Sequence, residues 1–253
     1  MANKIKYFIG NWKMFGNQHS LSILNRINKF LNRGGRAAKK GKVIFCVPNT
    51  LINHFAVKLK KSSIIIGAQN CHYSEKFAAV TGSVNASMLK KSGAKYVILG
   101  HSENRIQGDT NMIVKKKIKS ALNQKLSVIF CIGESLKERK KKKTFYVLRK
   151  QIKSSLDKKF NFKKIIIAYE PVWSIGSGKT PNSKDLSKIL FFIKKEFVKI
   201  FKINNLPKVL YGGSVSNKNV NNFSTNDQID GFLIGGASRS PKKFIDIIVN
   251  YYK

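Results

Sequence analysis

The sequence predicts an α/β fold: one (β/α)8 barrel, a closed eight-stranded parallel sheet surrounded by helices, with residues 1–253 forming a single domain. Three observations predict it. Short apolar runs alternate with longer amphipathic segments along the whole chain. Most of the runs are apolar throughout, not alternating, as strands covered on both faces are. The length of 253 residues is that of one such barrel.

The candidate strands are, in order, KYFIGNW, VIFCV, SIIIGAQ, KYVILG, SVIFCIG, KIIIAY, KVLYGG and GFLIGG, each rich in Ile, Val, Phe or Tyr. Between them lie SLSILNRINKFL, DTNMIVKKKIKSALN, FYVLRKQIKSSL and DLSKILFFIKKEFVKIF, which read as amphipathic helices. The expectation is eight strand–helix units with no domain-sized linker. Regular alternation argues for a parallel sheet. An open doubly wound sheet is the alternative, but it normally carries a G-x-G-x-x-G turn after its first strand, and here the chain reads NWKMFG. The basic run KERKKKK at 137–143 is expected between elements.

Composition narrows the function classes. A hydrophobic content of 42% allows a large core and excludes global disorder. Cys46, Cys71 and Cys131 are odd in number, far apart and free of any C-x-x-C pair, which fits a reducing, cytoplasmic location. The stretch MANKIKYFIGNWKM breaks its apolar run too soon for a signal peptide. No run approaches the roughly 18 apolar residues of a membrane span, so no membrane association is expected. No His/Cys cluster has zinc-ligand spacing, and neither a metal nor an organic cofactor is expected. The net charge of +37 has two readings: an anionic partner such as nucleic acid or a membrane surface, or lysine spread over solvated faces. The lysines run along the whole chain with many Asn, Ile and Phe, residues with AT-rich codons. The densest run also lacks interleaved aromatics for base stacking. Nucleic-acid contact is therefore expected only as a non-specific consequence of charge.

Barrels of this kind carry their chemistry on the loops after the strands. Those loops hold Asn11 and Lys13 (NWKMFG), His101 (LGHSENR), Glu170 (AYEPVW), Ser214 (YGGSV), and Gly235 with Gly236 (LIGGAS). Each has a plainer reading alone: a solvated carboxylate, a structural histidine, one lysine among many, or glycines in turns. Their joint placement on one rim points to a site. The glycines allow close backbone approach, and a short helix after strand eight would offer free N–H groups to an anion. Ser214 adds a hydroxyl and Gly176 an amide. The pattern suggests a small phosphorylated molecule whose reacting end faces Glu170, His101 and Lys13.

The segments NWKMFG, LGHSENR, AYEPVWSIGSGKT, YGGSV and LIGGAS resemble the signature segments of the triosephosphate isomerase family, in order and spacing. GAQN, TGSV and CIGES match its pattern as well, and the resemblance covers essentially the whole chain. It implies the family's TIM barrel, a homodimer, no cofactor, and interconversion of dihydroxyacetone phosphate and D-glyceraldehyde 3-phosphate in glycolysis and gluconeogenesis. By resemblance Glu170 is the base and His101 a neutral electrophile, its pKa lowered by the helix start that follows it. Lys13 supplies fixed positive charge, and Asn11 helps to bind and position the substrate. Glu103 either holds Lys13 or gives structural support. Asn11, Lys13, Gly176, Ser214, Gly235 and Gly236 bind substrate. Pro171, Val172 and Trp173 form one lid hinge and Lys179 and Thr180 the other. Ile175, Gly176, Ser177 and Gly178 form the mobile tip.

Four departures stand out. Phe15 replaces the family's usual Asn, which puts the packing near Lys13 in question. Pro181 stands where Ala is common and is expected to stiffen the second hinge. Ser83 and Asn104 replace a Glu and an Arg that pair across the dimer interface in relatives. Losing both charges is milder than losing one, so a homodimer with a neutral contact is expected. Thr81 is expected to reach toward the partner subunit's site, as in relatives.

Overall fold

The structure, a computed structural model, describes residues 5–253. The reading of the N-terminal stretch as no leader rests partly on residues 1–4, which lie outside the described residues. Eight strands form the sheet: β1 (Lys6–Asn11), β2 (Gly41–Cys46), β3 (Ile65–Ala68), β4 (Tyr96–Leu99), β5 (Ser127–Ile132), β6 (Ile165–Tyr169), β7 (Lys208–Tyr211) and β8 (Gly231–Ile234). They pair in chain order, and β8 closes in parallel on β1. Every expected run coincides with a strand whose ends shift by one or two residues; β2 starts earlier than expected, at Gly41.

The continuous apolar runs follow from burial on both faces. Along β1, Phe8 packs outward under the helices while Ile9 points into the barrel. Phe45 and Ile44 divide in the same way on β2. The barrel interior is filled by Ile9, Ile44, Ile98, Ile129, Ile166, Leu210 and Leu233, and is thus a packed core.

Around the sheet lie α1 (Leu21–Asn32), α2 (Arg36–Lys40), α3 (Asn49–Lys58), α4 (Ala86–Lys91), α5 (Ser102–Ile106), α6 (Asn111–Asn123), α7 (Leu136–Lys140), α8 (Thr144–Ser155), α9 (Ser183–Phe201) and α10 (Pro241–Tyr251). Side-chain caps from Thr110, Asn182 and Ser240 fix where α6, α9 and α10 begin. Two expectations need correction. Much of the 137–143 run is helical: Ser135 and Glu138 form a reciprocal capping box that starts α7. The seventh unit has no α-helix, only a 3-10 turn at Val220–Phe223. There the buried Val220 and Phe223 do the covering in a stretch otherwise rich in Asn, Ser, Thr and Asp, too short of apolar residues for a longer helix.

The N-terminal end of the barrel is closed by charge. Asp230, 2% exposed, takes Lys194 Nζ at 2.8 Å, Lys208 Nζ at 3.7 Å and the Val209 amide at 3.0 Å. Lys6 donates to the Ile229 carbonyl beside it. Cys46, Cys71 and Cys131 are free thiols, all buried. Among the described residues no helix is long and apolar enough to cross a membrane, and no His/Cys/Asp/Glu group is arranged to hold a metal ion.

Candidate active site

The site is built at the C-terminal rim from the ends of separate strands. Asn11 closes β1, and its Oδ1 accepts the Lys13 amide at 3.1 Å. That bond holds Lys13 in a left-handed backbone (φ 56°), which a residue with a Cβ adopts only when its surroundings enforce it. The Lys13 ammonium then reaches Glu103 Oε1 at 2.6 Å.

His101 immediately precedes α5 and is 4% exposed. Its Nδ1 accepts the Glu103 backbone N–H at 3.2 Å, so Nδ1 carries no proton while that bond holds. Its Nε2 lies 3.4 Å from Glu170 Oε1. Burial works most strongly on this imidazole and disfavours its charged form. The Glu170 charge, the Glu170 hydrogen bond and the Glu103 charge act in the opposite direction, with Lys13 siding with burial. Together they leave the pKa above the ordinary value of 6.5. Two neighbouring carboxylates thus raise the pKa that the helix-start argument lowers.

Glu170 follows β6 and is 4% exposed. Its backbone amide is pinned to the Ile132 carbonyl at 2.8 Å. Glycine is required at 212, because a Cβ there would lie 2.6 Å from Glu170 Cγ. Glu170 Oε2 is buried with no hydrogen-bond partner among the described residues. The Cys131 thiol, pushed well above its ordinary range by burial first and then by the Glu170 carboxylate, lines the inner side.

The lid residues sit as a strap over this rim. Pro171 leads into a 3-10 turn at Val172–Ser174. Trp173 Nε1 donates to Glu134 Oε1 at 3.1 Å, and Tyr169 Oη donates to the same fully buried carboxylate at 3.1–3.2 Å. Arg139 stacks on the Trp173 ring at 4.6 Å. Ser174, fully buried, donates to the Lys179 carbonyl at 2.6 Å and accepts the Ser214 amide at 3.2 Å. It therefore joins both hinges to the loop after β7. Gly176, Ser177, Gly178, Lys179 and Thr180 are exposed, Ile175 is half-buried and Pro181 is buried. Gly176 and Gly178 both have positive φ.

One cavity of about 580 Å³ is lined by Asn11, Lys13, His101, Glu170, Gly176, Ser214, Gly235 and Gly236. The substrate-facing residues expected from the sequence thus share one space. Gly236 also begins a 3-10 helix, Gly236–Arg239. Glu103 lies in an adjoining pocket with Asn104. Thr81 is exposed and does not line the cavity. A second cavity of about 500 Å³ lies at the opposite end of the barrel, but no acid or imidazole lines it, so the chemistry belongs to the rim. Sequence reasoning assigned no role to Glu134, Cys131, Ser174 or Arg239. Cys131 and Glu134 both fall in the CIGES segment and Ser174 in AYEPVWSIGSGKT, while Arg239 lies just past LIGGAS.

These geometric findings agree with comparison to known proteins. A family model described as Triosephosphate isomerase matches residues 6–251. A triosephosphate isomerase of Alkaliphilus metalliredigens is 38% identical over 94% of this chain and 96% of its own. One from Bartonella henselae is 37% identical over 100% of both chains. The crystal structure of a triosephosphate isomerase from Bartonella henselae superposes with a TM-score of 0.86 at 34% identity, covering 98% of this chain and 100% of its own.

Proposed function

The chain belongs to the triosephosphate isomerase family, and from that premise we propose how its own residues divide the work. The protein is an aldose–ketose isomerase that interconverts dihydroxyacetone phosphate and D-glyceraldehyde 3-phosphate, a glycolytic step. Glu170 is the base. It takes a proton from the carbon beside the carbonyl and returns it to the neighbouring carbon. A buried carboxylate on the cavity wall with one oxygen lacking a hydrogen-bond partner among the described residues supports this role.

His101 donates from Nε2 to the carbonyl oxygen as the enediolate forms, and then moves the proton between the two substrate oxygens. The Glu103 amide on Nδ1 favours the tautomer that carries its proton on Nε2. Neutral imidazole in this role is the family's established chemistry. As Glu170 takes up the substrate proton it loses the charge that raises the imidazole pKa. Lys13 places fixed charge at the developing oxyanion, positioned by Asn11 and held by Glu103. Gly235, Gly236, Ser214 and Gly176 grip the phosphate.

The observation that carries this assignment is the 3.4 Å approach of His101 Nε2 to Glu170 Oε1 on one cavity wall. A coupled isomerase assay on the wild type and on a variant lacking residues 175–178 tests both site and lid. The wild type turns over both trioses. The deleted variant is slower and releases methylglyoxal, because an open site no longer holds the enediol phosphate planar and dry. Wild-type inactivity removes the assignment. Unchanged methylglyoxal in the variant removes the lid.

The whole chain acts as one domain and as a cytoplasmic homodimer. The exposed Tyr73, Phe77, Val80 and Met14 support an apolar contact between copies. Thr81, on the same loop as Phe77 and Val80, reaches toward the site of the second copy. Ser83 and Asn104 meet there without charge. Sedimentation showing only monomer at micromolar concentration would overturn the dimer.

A further inference from the structure

The loops after β1 and β8 meet at the mouth of the site. Trp12 Nε1 donates to the Ser238 carbonyl at 3.3 Å, and Ser238 Oγ donates back to the Gly235 carbonyl at 2.7 Å. Just outside this junction the Arg239 guanidinium lies 3.8 Å from the centre of the Phe15 ring. Arg239 ends the short helix begun by Gly236, and Phe15 is one of the chain's departures from its family's pattern. Both line the same cavity as Lys13, Ser214 and Gly236.

Stacking on a ring uses the face of a guanidinium. Its N–H donors lie in the plane and stay available to an acceptor at the edge. Among the described residues no hydrogen bond or ion pair engages Arg239, while its Nη2 lies 3.6 Å from the point where a side chain on Gly236 would begin. The guanidinium is therefore held beside one of the glycines assigned to the phosphate, with unused donors. Lys218 and Lys243 line the same cavity, and Glu170 is its one carboxylate.

We propose that Arg239, seated on Phe15, is a substrate-binding residue that donates to the phosphate group of the triose phosphate from the mouth of the cup. This rests on the phosphate placement given above. The seat matters because an unsupported arginine would lose rotamer freedom on binding, and the ring removes part of that cost beforehand. A planar fork suits a phosphate better than a point charge does.

The test compares wild type with Arg239→Leu, Arg239→Lys and Phe15→Asn. The readouts are the isomerase KM and kcat, the binding of inorganic phosphate by titration calorimetry, and the preference for glyceraldehyde 3-phosphate over unphosphorylated glyceraldehyde. In Arg239→Leu, KM and the phosphate Kd rise about tenfold, kcat changes much less, and that preference falls by a similar factor. Arg239→Lys recovers only part of the loss, and Phe15→Asn falls between Arg239→Leu and wild type. A phosphate Kd in Arg239→Leu within about twofold of wild type overturns the contact, as does full recovery by Arg239→Lys. An equal loss on both trioses shows structural damage instead and overturns it too. If the wild type binds phosphate through Arg239 yet shows no isomerase activity, the assigned reaction fails and the arginine site stands.

Discussion

Two acids are buried at opposite ends of the same barrel, and they are treated differently. Asp230, 2% exposed, meets Lys194 at 2.8 Å, a second lysine and a backbone amide. Glu170, 4% exposed, meets an imidazole at 3.4 Å and leaves Oε2 with no hydrogen-bond partner among the described residues. Burial alone thus does not mark a reactive carboxylate. What sets Glu170 apart is an unfinished set of partners beside an open cavity. Asp230 is neutralised and its ladder is closed. Glu170 is held ready, with Gly212 giving it room.

The largest expected effect comes from removing the ready acid. Glu170→Gln lowers kcat by about two to four orders of magnitude, the range for a positioned acid–base group. Its melting temperature stays level or rises, because a buried charge has gone. A variant that loses activity only in proportion to its unfolding would erase the distinction between the two acids.

Removing the paired acid has the opposite profile. Asp230→Asn strands the nearly buried Lys194 and costs about 3–5 kcal/mol of stability. The folded fraction keeps its kcat. Denaturant unfolding with activity measured below the transition checks this, and a kcat loss in folded protein would mean that the two ends are coupled.

The smallest effect is a pH dependence that sharpens the contrast. Glu170 and Glu103 outweigh burial and raise the His101 pKa above 6.5. A raised folded pKa means that folding favours the imidazolium. Its stabilising contribution is full below about 6.5 and is lost as the pH climbs through the folded value. The melting-temperature advantage of wild type over His101→Asn therefore shrinks as pH rises past that point. An advantage that does not change with pH would mean that the Glu103 amide alone sets the state of the ring. For the same reason, kcat/KM rises with pH through the free-enzyme value, since the proposed chemistry needs the imidazole neutral.

The fold was readable because each strand is apolar on both faces, a pattern that few other architectures require. The site was readable because barrel chemistry gathers at strand ends, where Asn11, Lys13, His101, Glu170 and the glycines stand. What escaped depends on loops meeting in space. Nothing in the spacing of Phe15 and Arg239 announces that they stack. Ser174 reads as one more loop serine until its place between Lys179 and Ser214 is seen. The raised pKa of His101 needed the distances to two carboxylates, which a helix-start argument does not contain. By contrast, the start of α7 was present in the letters: Ser135 and Glu138 have capping-box spacing, hidden in a run that drew attention to its charge.

The three sealed thiols have a practical consequence. Burial raises the pKa of Cys71 to about 12 and raises those of Cys46 and Cys131 as well. Only the thiolate attacks an alkylating reagent, so the native molecule is chemically mute toward such reagents near neutrality. Any labelling that does occur keeps time for the barrel's opening: one sulfur sits on β2, one in the loop after β3, and one on β5 beside Glu170. Their relative alkylation rates would show which staves part first.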